Sequence, residues 1–292
     1  MKTLSTFNLK VPWGHIAVKA WGNIKNTGVL MVHGTLDNAG AFDRLVALLP
    51  HDFYYVSIDL PGHGFSSHYQ NGIKLSFFTY VLAIKYVLDE LQWKHAFYIG
   101  HSLGAQLGLF FSLIYPKRIQ KLVLIDSIIP ELIVKDEIIS RIKKEYEFIS
   151  KKYKQNNLHH YTKEEVMFAL KYLRKNCLTS EAAEALFERS VTKVNENSYI
   201  YNRDIRAKIF IIPFMGFDQY LHVLNEINGE ILILATDTLL YKRHIIFELL
   251  NFFKSYNIHV IRIRGNHDVH NNYPERISEH ISRFIKHFSS KL

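Results

Sequence analysis

The chain has 292 residues, 48% hydrophobic and 22% charged, with a formal net charge of +9. That balance suits a large folded core and excludes a disordered or fibrous chain. A single cysteine, Cys177, excludes an internal disulfide framework, and no apolar run reaches the roughly 18 residues of a membrane span.

The basic residues are interleaved with acids. The densest group, Arg141, Lys143, Lys144, Lys151, Lys152 and Lys154, is broken by Glu145 and Glu147. It reads as a solvated helix face, with contact to an anionic substrate as the alternative, and no nucleic acid is expected as a partner. Met1 to Lys10 is polar and lacks the apolar run of a signal peptide, so a soluble, non-secreted protein is expected.

In chain order, Phe7 to Val11 and Ile16 to Trp21 flank Pro12-Trp13-Gly14 and predict an antiparallel hairpin at a sheet edge. Short β-rich runs follow at Val29–His33, Phe53–Asp59, Ala96–Gly100, Lys121–Asp126, Ile231–Thr236 and His259–Ile263. Helical patterns alternate with them at Ala39–Leu49, Ser76–Leu91, Leu103–Tyr115, Leu240–Phe253 and Pro274–Phe288. Near-continuous apolar strands such as Leu122–Ile125 predict a mostly parallel sheet flanked by helices on both faces.

The rhythm breaks between residues 127 and 229, where the pattern is helical at Glu131–Tyr153, Thr162–Lys175, Ser180–Ser190 and Phe217–Ile227. About 100 residues between two late strands far exceeds an ordinary connection. The expected organisation is a core of residues 1–126 and 230–292 with a helical cap, 127–229, inserted between two late strands. Open α/β sheets bind ligands at the carboxyl ends of their strands, where such a cap would roof the site.

Gly100-His101-Ser102-Leu103-Gly104 has the G-x-S-x-G pattern, follows an apolar strand and opens a helix. The glycines permit a sharp turn that lifts the Ser102 hydroxyl above the sheet as a nucleophile. His33-Gly34-Thr35-Leu36 ends an earlier strand, so the Thr35 and Leu103 amides are the expected oxyanion donors. A serine alcohol needs a base, and His267 lies just after the last strand. His270 is expected to pack within that loop, and Asp59 to Gly64, with His63, to form a structural turn.

Two carboxylates could orient His267. Asp237 follows the strand Ile231–Thr236 and gives the order Ser, acid, His; Asp126 also ends a strand and also lies between Ser102 and His267. Asp237 is favoured and Asp126 is the alternative.

These motifs resemble the α/β-hydrolase superfamily and, more closely, its serine hydrolase-like, kraken-type members. The likeness rests on Val11-Pro12-Trp13-Gly14-His15-Ile16-Ala17, His33-Gly34 with Asp37-Asn38-Ala39 and Phe42-Asp43-Arg44-Leu45, and Asp52 to Val56. Gly62-His63-Gly64 with Ser66 to Tyr69, Gly100-His101-Ser102, and Gly265-Asn266-His267 with Val269, His270 and Pro274 extend it. The resemblance implies the α/β-hydrolase fold, with Ser102 and His267 in the family's catalytic positions and no cofactor or metal. Related dehalogenases and epoxide hydrolases place Asp at the nucleophile position, so Ser102 argues against both activities. Gly265-Asn266-His267-Asp268 also resembles one block of metallophosphoesterases, but the companion blocks of that family are missing.

The expected function is hydrolysis of an acyl ester or thioester through a Ser102, Asp237, His267 triad and an acyl-enzyme. The alternative is a binding protein that keeps the fold without turnover. Ser290-Lys291-Leu292 is the tripeptide read by the peroxisomal import receptor at a free C-terminus. A peroxisomal protein with a cytoplasmic pool is therefore expected, acting on lipid-derived or acyl-CoA substrates.

Overall fold

The computed structural model describes residues 2–70, 75–133, 135–152, 159–209, 213, 215–227, 229–240, 248–249, 251–252 and 258–287. Strands β1 (Leu4–Val11) and β2 (Gly14–Trp21) form the expected antiparallel hairpin. Strands β3 (Thr27–Val32), β4 (Phe53–Ile58), β5 (Ala96–His101), β6 (Ile119–Ile125), β9 (Glu230–Thr236) and β10 (Ile258–Ile263) run parallel. The eight strands are ordered β1-β2-β4-β3-β5-β6-β9-β10, which puts β5 inside the sheet with β3 and β6 on either side.

The side-chain period of two sorts each central strand between two apolar clusters. Leu30, Val32, Tyr54, Val56, Leu122 and Leu124 join one cluster; Val29, Met31, Phe53, Tyr55, Val123 and Ile125 join the other. With both faces covered, β4 and β5 are buried along their whole length, as a parallel sheet demands.

Helices α1 (Asp43–Leu48), α2 (Phe77–Glu90) and α3 (Leu103–Ile114) follow the early strands. Ser76 starts α2 by accepting from the Thr79 amide, while the Thr79 hydroxyl accepts from the Ser76 amide, a reciprocal cap.

The interval 127–229 carries α4 (Ile138–Lys152), α5 (Lys163–Tyr172), α6 (Ser180–Ser190) and α7 (Phe217–Leu224). It is not purely helical. Strands β7 (Val191–Asn195) and β8 (Ser198–Tyr201) pair as an antiparallel hairpin in an interval where no strand was expected. The β-branched Val191, Thr192 and Val194 and the run Tyr199-Ile200-Tyr201 favour a pleated ribbon over a helix.

Buried polar contacts tie the interval to the sheet. Arg189 donates to Asp59 from both Nε and Nη2, at 3.0 and 2.7 Å, and Asn38 donates to the Leu186 carbonyl at 2.9 Å.

The short helix α8 (Asp237–Leu240) follows β9. The expected helix Leu240–Phe253 lies largely outside the described residues, as does Ser290-Lys291-Leu292. Helices α9 (Val269–Asn272) and α10 (Glu275–Lys286) close the chain, and α10 buries Ile277, Ile281 and Ile285, one residue per turn on one face.

Candidate active site

Ser102 stands between β5 and α3 at φ 51° and ψ −116°, left-handed backbone that an L side chain adopts only under constraint. Its amide donates to the Ile125 carbonyl at 3.1 Å, and its own carbonyl accepts from Ala105 and Gln106. The flanking glycines are needed for close approach: a Cβ on Gly100 would lie 2.4 Å from the Gly104 carbonyl oxygen, and one on Gly104 would lie 2.0 Å from that of Val32. The turn therefore exists because two backbones meet where no side chain fits.

Asp126 follows β6 at φ 53° and is buried. Its Oδ2 accepts from His267 Nδ1 at 2.6 Å. Its Oδ1 accepts from the Thr236 amide at 2.8 Å and from the Thr236 hydroxyl. Both carboxylate oxygens are thus fixed, and one of them fixes the His267 ring. Burial opposes a charge on His267, but the hydrogen bond and charge of Asp126 outweigh it and hold the ring above its usual value.

Asp237 is not at His267. It begins α8 on the exposed surface, accepting from Arg262 Nη2 at 3.0 Å and from the Gly265 amide at 3.2 Å. The physical reason is the course of the chain. The loop after β10 brings His267 over the end of β6, while Asp237 faces Arg262 on the adjacent strand β10. The Arg262 hydrogen bond keeps Asp237 below the ordinary carboxylate range.

Thr35 and Leu103 meet in the wall of one hollow of about 20 Å³. No described residue accepts a hydrogen bond from either amide, so both remain able to donate. Leu103 is the first residue of α3, where the helix dipole is positive.

The loop beside Thr35 is held by two neutral histidines. His63 accepts the Leu36 amide at Nε2, 3.2 Å, while its Nδ1 donates to the Pro61 carbonyl at 3.1 Å. His33 accepts the Leu60 amide at Nε2, 3.0 Å, and donates from Nδ1 to the Gly34 carbonyl at 2.7 Å. Burial pushes His63 down to about 3 and lowers His33 as well. His63, expected in a structural turn, thus sets the geometry of the Gly34 to Asp37 loop.

Beneath His267, buried His101 donates from Nε2 to the His267 carbonyl at 2.9 Å, and burial drives its ionisation well down. His270 stacks on His101 with ring centroids 3.8 Å apart. It is fully buried, and neither ring nitrogen finds a partner among the described residues, in keeping with the packing role expected of it.

Pattern reading missed the ionic clamp from the interval. Arg174 donates to Asp37 at 2.7 Å and to Asp268 at 3.1 Å. Asp37, His101 and Asp268 could by their spacing surround a cation, but the Arg174 guanidinium takes that place. Arg174 carries no motif, and only its position after α5 brings it here.

Ser102, His267, Thr35, Asp37 and His101 share a cavity of about 640 Å³ with Tyr161, Leu170, Arg174, Tyr201 and Arg203 of the interval. Its walls therefore come from both parts of the chain, and its size suits a small organic substrate.

A family model described as the alpha/beta hydrolase fold matches residues 28–236. The chain is 32% identical to Serine hydrolase-like protein 2 of Homo sapiens, over 97% of this chain and 94% of that protein. It is 31% identical to the Serine hydrolase-like protein of Danio rerio, over 98% and 89% respectively. Among solved structures, a hypothetical protein of Pseudomonas aeruginosa superposes with a TM-score of 0.83 at 22% identity, covering 96% of this chain and 97% of that one. The thioesterase domain from the curacin biosynthetic pathway superposes with a TM-score of 0.79 at 22% identity, covering 96% and 99%. The chain belongs to the α/β-hydrolase fold family and, within it, to the serine hydrolase-like proteins.

Proposed function

We propose that this protein hydrolyses an acyl ester or thioester through a covalent acyl-enzyme on Ser102, with His267 as general base and Asp126 as the acid partner. The carrying observation is the hydrogen bond from His267 Nδ1 to the buried Asp126 carboxylate, with Ser102 on its strained turn in the same cavity. The thioesterase fold-neighbour is in keeping with thioester chemistry.

In the proposed reaction, His267 Nε2 takes the Ser102 proton as Oγ adds to the acyl carbon, and the carbonyl oxygen becomes an oxyanion. The Thr35 and Leu103 amides donate to that oxygen. His267 then gives its proton to the departing alcohol or thiol, and the bond from the acyl carbon to the leaving group breaks. Water attacks the acyl-enzyme, His267 takes its proton and returns it to Ser102 Oγ, and a carboxylic acid leaves. Asp126 keeps the proton of His267 on Nδ1, so Nε2 faces the reaction, and its charge stabilises the imidazolium formed in each half.

The interval 127–229 is read as a cap that limits which acyl groups reach Ser102. At a free C-terminus, Ser290-Lys291-Leu292 would support delivery to peroxisomes by the import receptor. Deleting those three residues from a fluorescent fusion should leave it in the cytosol; continued peroxisomal import would remove that address.

The direct functional test is turnover of a panel of aryl esters and coenzyme A thioesters by the wild type and Ser102→Ala. The expected result is hydrolysis that Ser102→Ala abolishes. Well-folded protein without Ser102-dependent turnover on any ester or thioester would favour a binding protein built on this fold.

A further inference from the structure

The cavity that holds Ser102 is unevenly charged. Its wall contains four cationic side chains, Arg174, Lys175, Arg203 and Lys208, against two carboxylates, Asp37 and Asp268. Both carboxylates are engaged by Arg174. Beyond that clamp, Arg203 and Lys175 are cations that shape the field a substrate meets.

Arg203 is the most constrained of these. It is half-buried at the end of the β7–β8 hairpin, with its guanidinium carbon 4.2 Å from the Tyr201 ring centroid. A guanidinium held over a ring face can still present N–H donors to a planar anion. Among the described residues, no carboxylate forms an ion pair with Arg203. Lys175, also in the cavity wall, is exposed and adds positive potential.

We infer that the substrate carries a fixed negative charge, a carboxylate or phosphate, and that Arg203 receives it while the acyl carbon sits at Ser102. This inference rests on the proposed hydrolase reaction and names the substrate class of that site. A half-buried guanidinium has lost part of its hydration, so an incoming anion regains a charge-assisted hydrogen bond that a neutral group cannot give. The anion could lie on the acyl or the leaving-group side of the scissile bond, and both place the same chemistry at Arg203.

The test compares matched esters. Mono-para-nitrophenyl adipate against its methyl-capped diester places the charge on the acyl side; para-carboxyphenyl hexanoate against its methyl ester places it on the leaving group. In at least one pair, with each rate divided by that of uncatalysed hydrolysis, the wild type should favour the anionic ester by about tenfold in kcat/KM. Arg203→Gln should bring that ratio close to one, while Arg203→Lys should retain a preference that falls as salt rises. The arm showing the preference assigns the side that carries the charge. Equal rates in both pairs, or a ratio unmoved by Arg203→Gln, would overturn the inference.

Binding to Ser102→Ala separates this inference from the reaction itself. By calorimetry, monomethyl adipate should bind more tightly than dimethyl adipate, or para-carboxyphenyl hexanoate more tightly than its methyl ester, when Arg203 is present, and the difference should vanish in Ser102→Ala with Arg203→Gln. That result would stand even if no ester were turned over, a failure belonging to the proposed reaction alone. Equal binding within both the adipate pair and the carboxyphenyl hexanoate pair would overturn the anion site whatever the kinetics showed.

Discussion

His267 Nδ1 and Asp126 Oδ2 lie 2.6 Å apart, joining the loop after β10 to the end of β6. Two strand-end carboxylates compete for the same partner in sequence, and only one reaches it. Asp126→Asn should lower kcat by about a thousandfold to ten-thousandfold, because the amide no longer fixes the tautomer or balances the imidazolium. Asp237→Asn should change kcat only a few-fold, since its exposed pairing with Arg262 contributes about 1 kcal/mol or less. Parallel kinetics on the two variants decide between the carboxylates.

The pH dependence of kcat/KM should show the same partnership. His267 must be neutral to accept a proton, and Asp126 raises its ionisation above the ordinary value of 6.5. The acid limb of the wild type is therefore expected above that value. In Asp126→Asn, burial is left as the main influence, and the limb of the residual activity should move to lower pH. An unmoved limb would mean that another group titrates.

Stability should fall in acid for a different reason. His33, His63, His101 and His270 are buried with their ionisation lowered, His63 to about 3. Their depressed values give stability that is fully present above about pH 6.5, where the unfolded rings are also neutral. It is lost as pH falls from there toward the folded values, because the unfolded chain then binds more protons. His270 makes no hydrogen bond among the described residues, so His270→Leu should flatten the fall in Tm between about pH 6.5 and 4. A Tm profile as steep as the wild type's would remove His270 from this account.

The buried pairing of Arg189 with Asp59 predicts how firmly the interval is attached. Arg189→Ala leaves a carboxylate at 0% exposure without its cation, and loss of one partner of such a pair costs about 3–5 kcal/mol. Chemical denaturation should show that loss. A change below about 1 kcal/mol would place the attachment elsewhere.

Much of this arrangement is legible in the chain. The apolar runs announce the parallel sheet, and Gly100 to Gly104 announces the turn because close backbone approach demands glycine on both sides of Ser102. His267 is marked by its place between the last strand and Pro274. The choice between Asp126 and Asp237 is not local, since both end strands. It depends on which strand the His267 loop crosses, which is a tertiary fact. Arg174 and Arg203 were invisible for a related reason, as neither belongs to a motif and both reach the cavity only through the folding of the interval. The β7–β8 hairpin did leave a signal, the alternating Thr192 to Tyr201 stretch around Asn195-Glu196-Asn197, but it is short enough to merge with the helical patterns beside it.

The central claim is that Ser102 is a nucleophile activated by His267 and Asp126. Fluorophosphonate labelling followed by peptide mass mapping tests it most directly. The account predicts one adduct on Ser102 in the wild type, none in Ser102→Ala, and strongly slowed labelling in Asp126→Asn but not in Asp237→Asn. Equal labelling of the wild type and Ser102→Ala would contradict it.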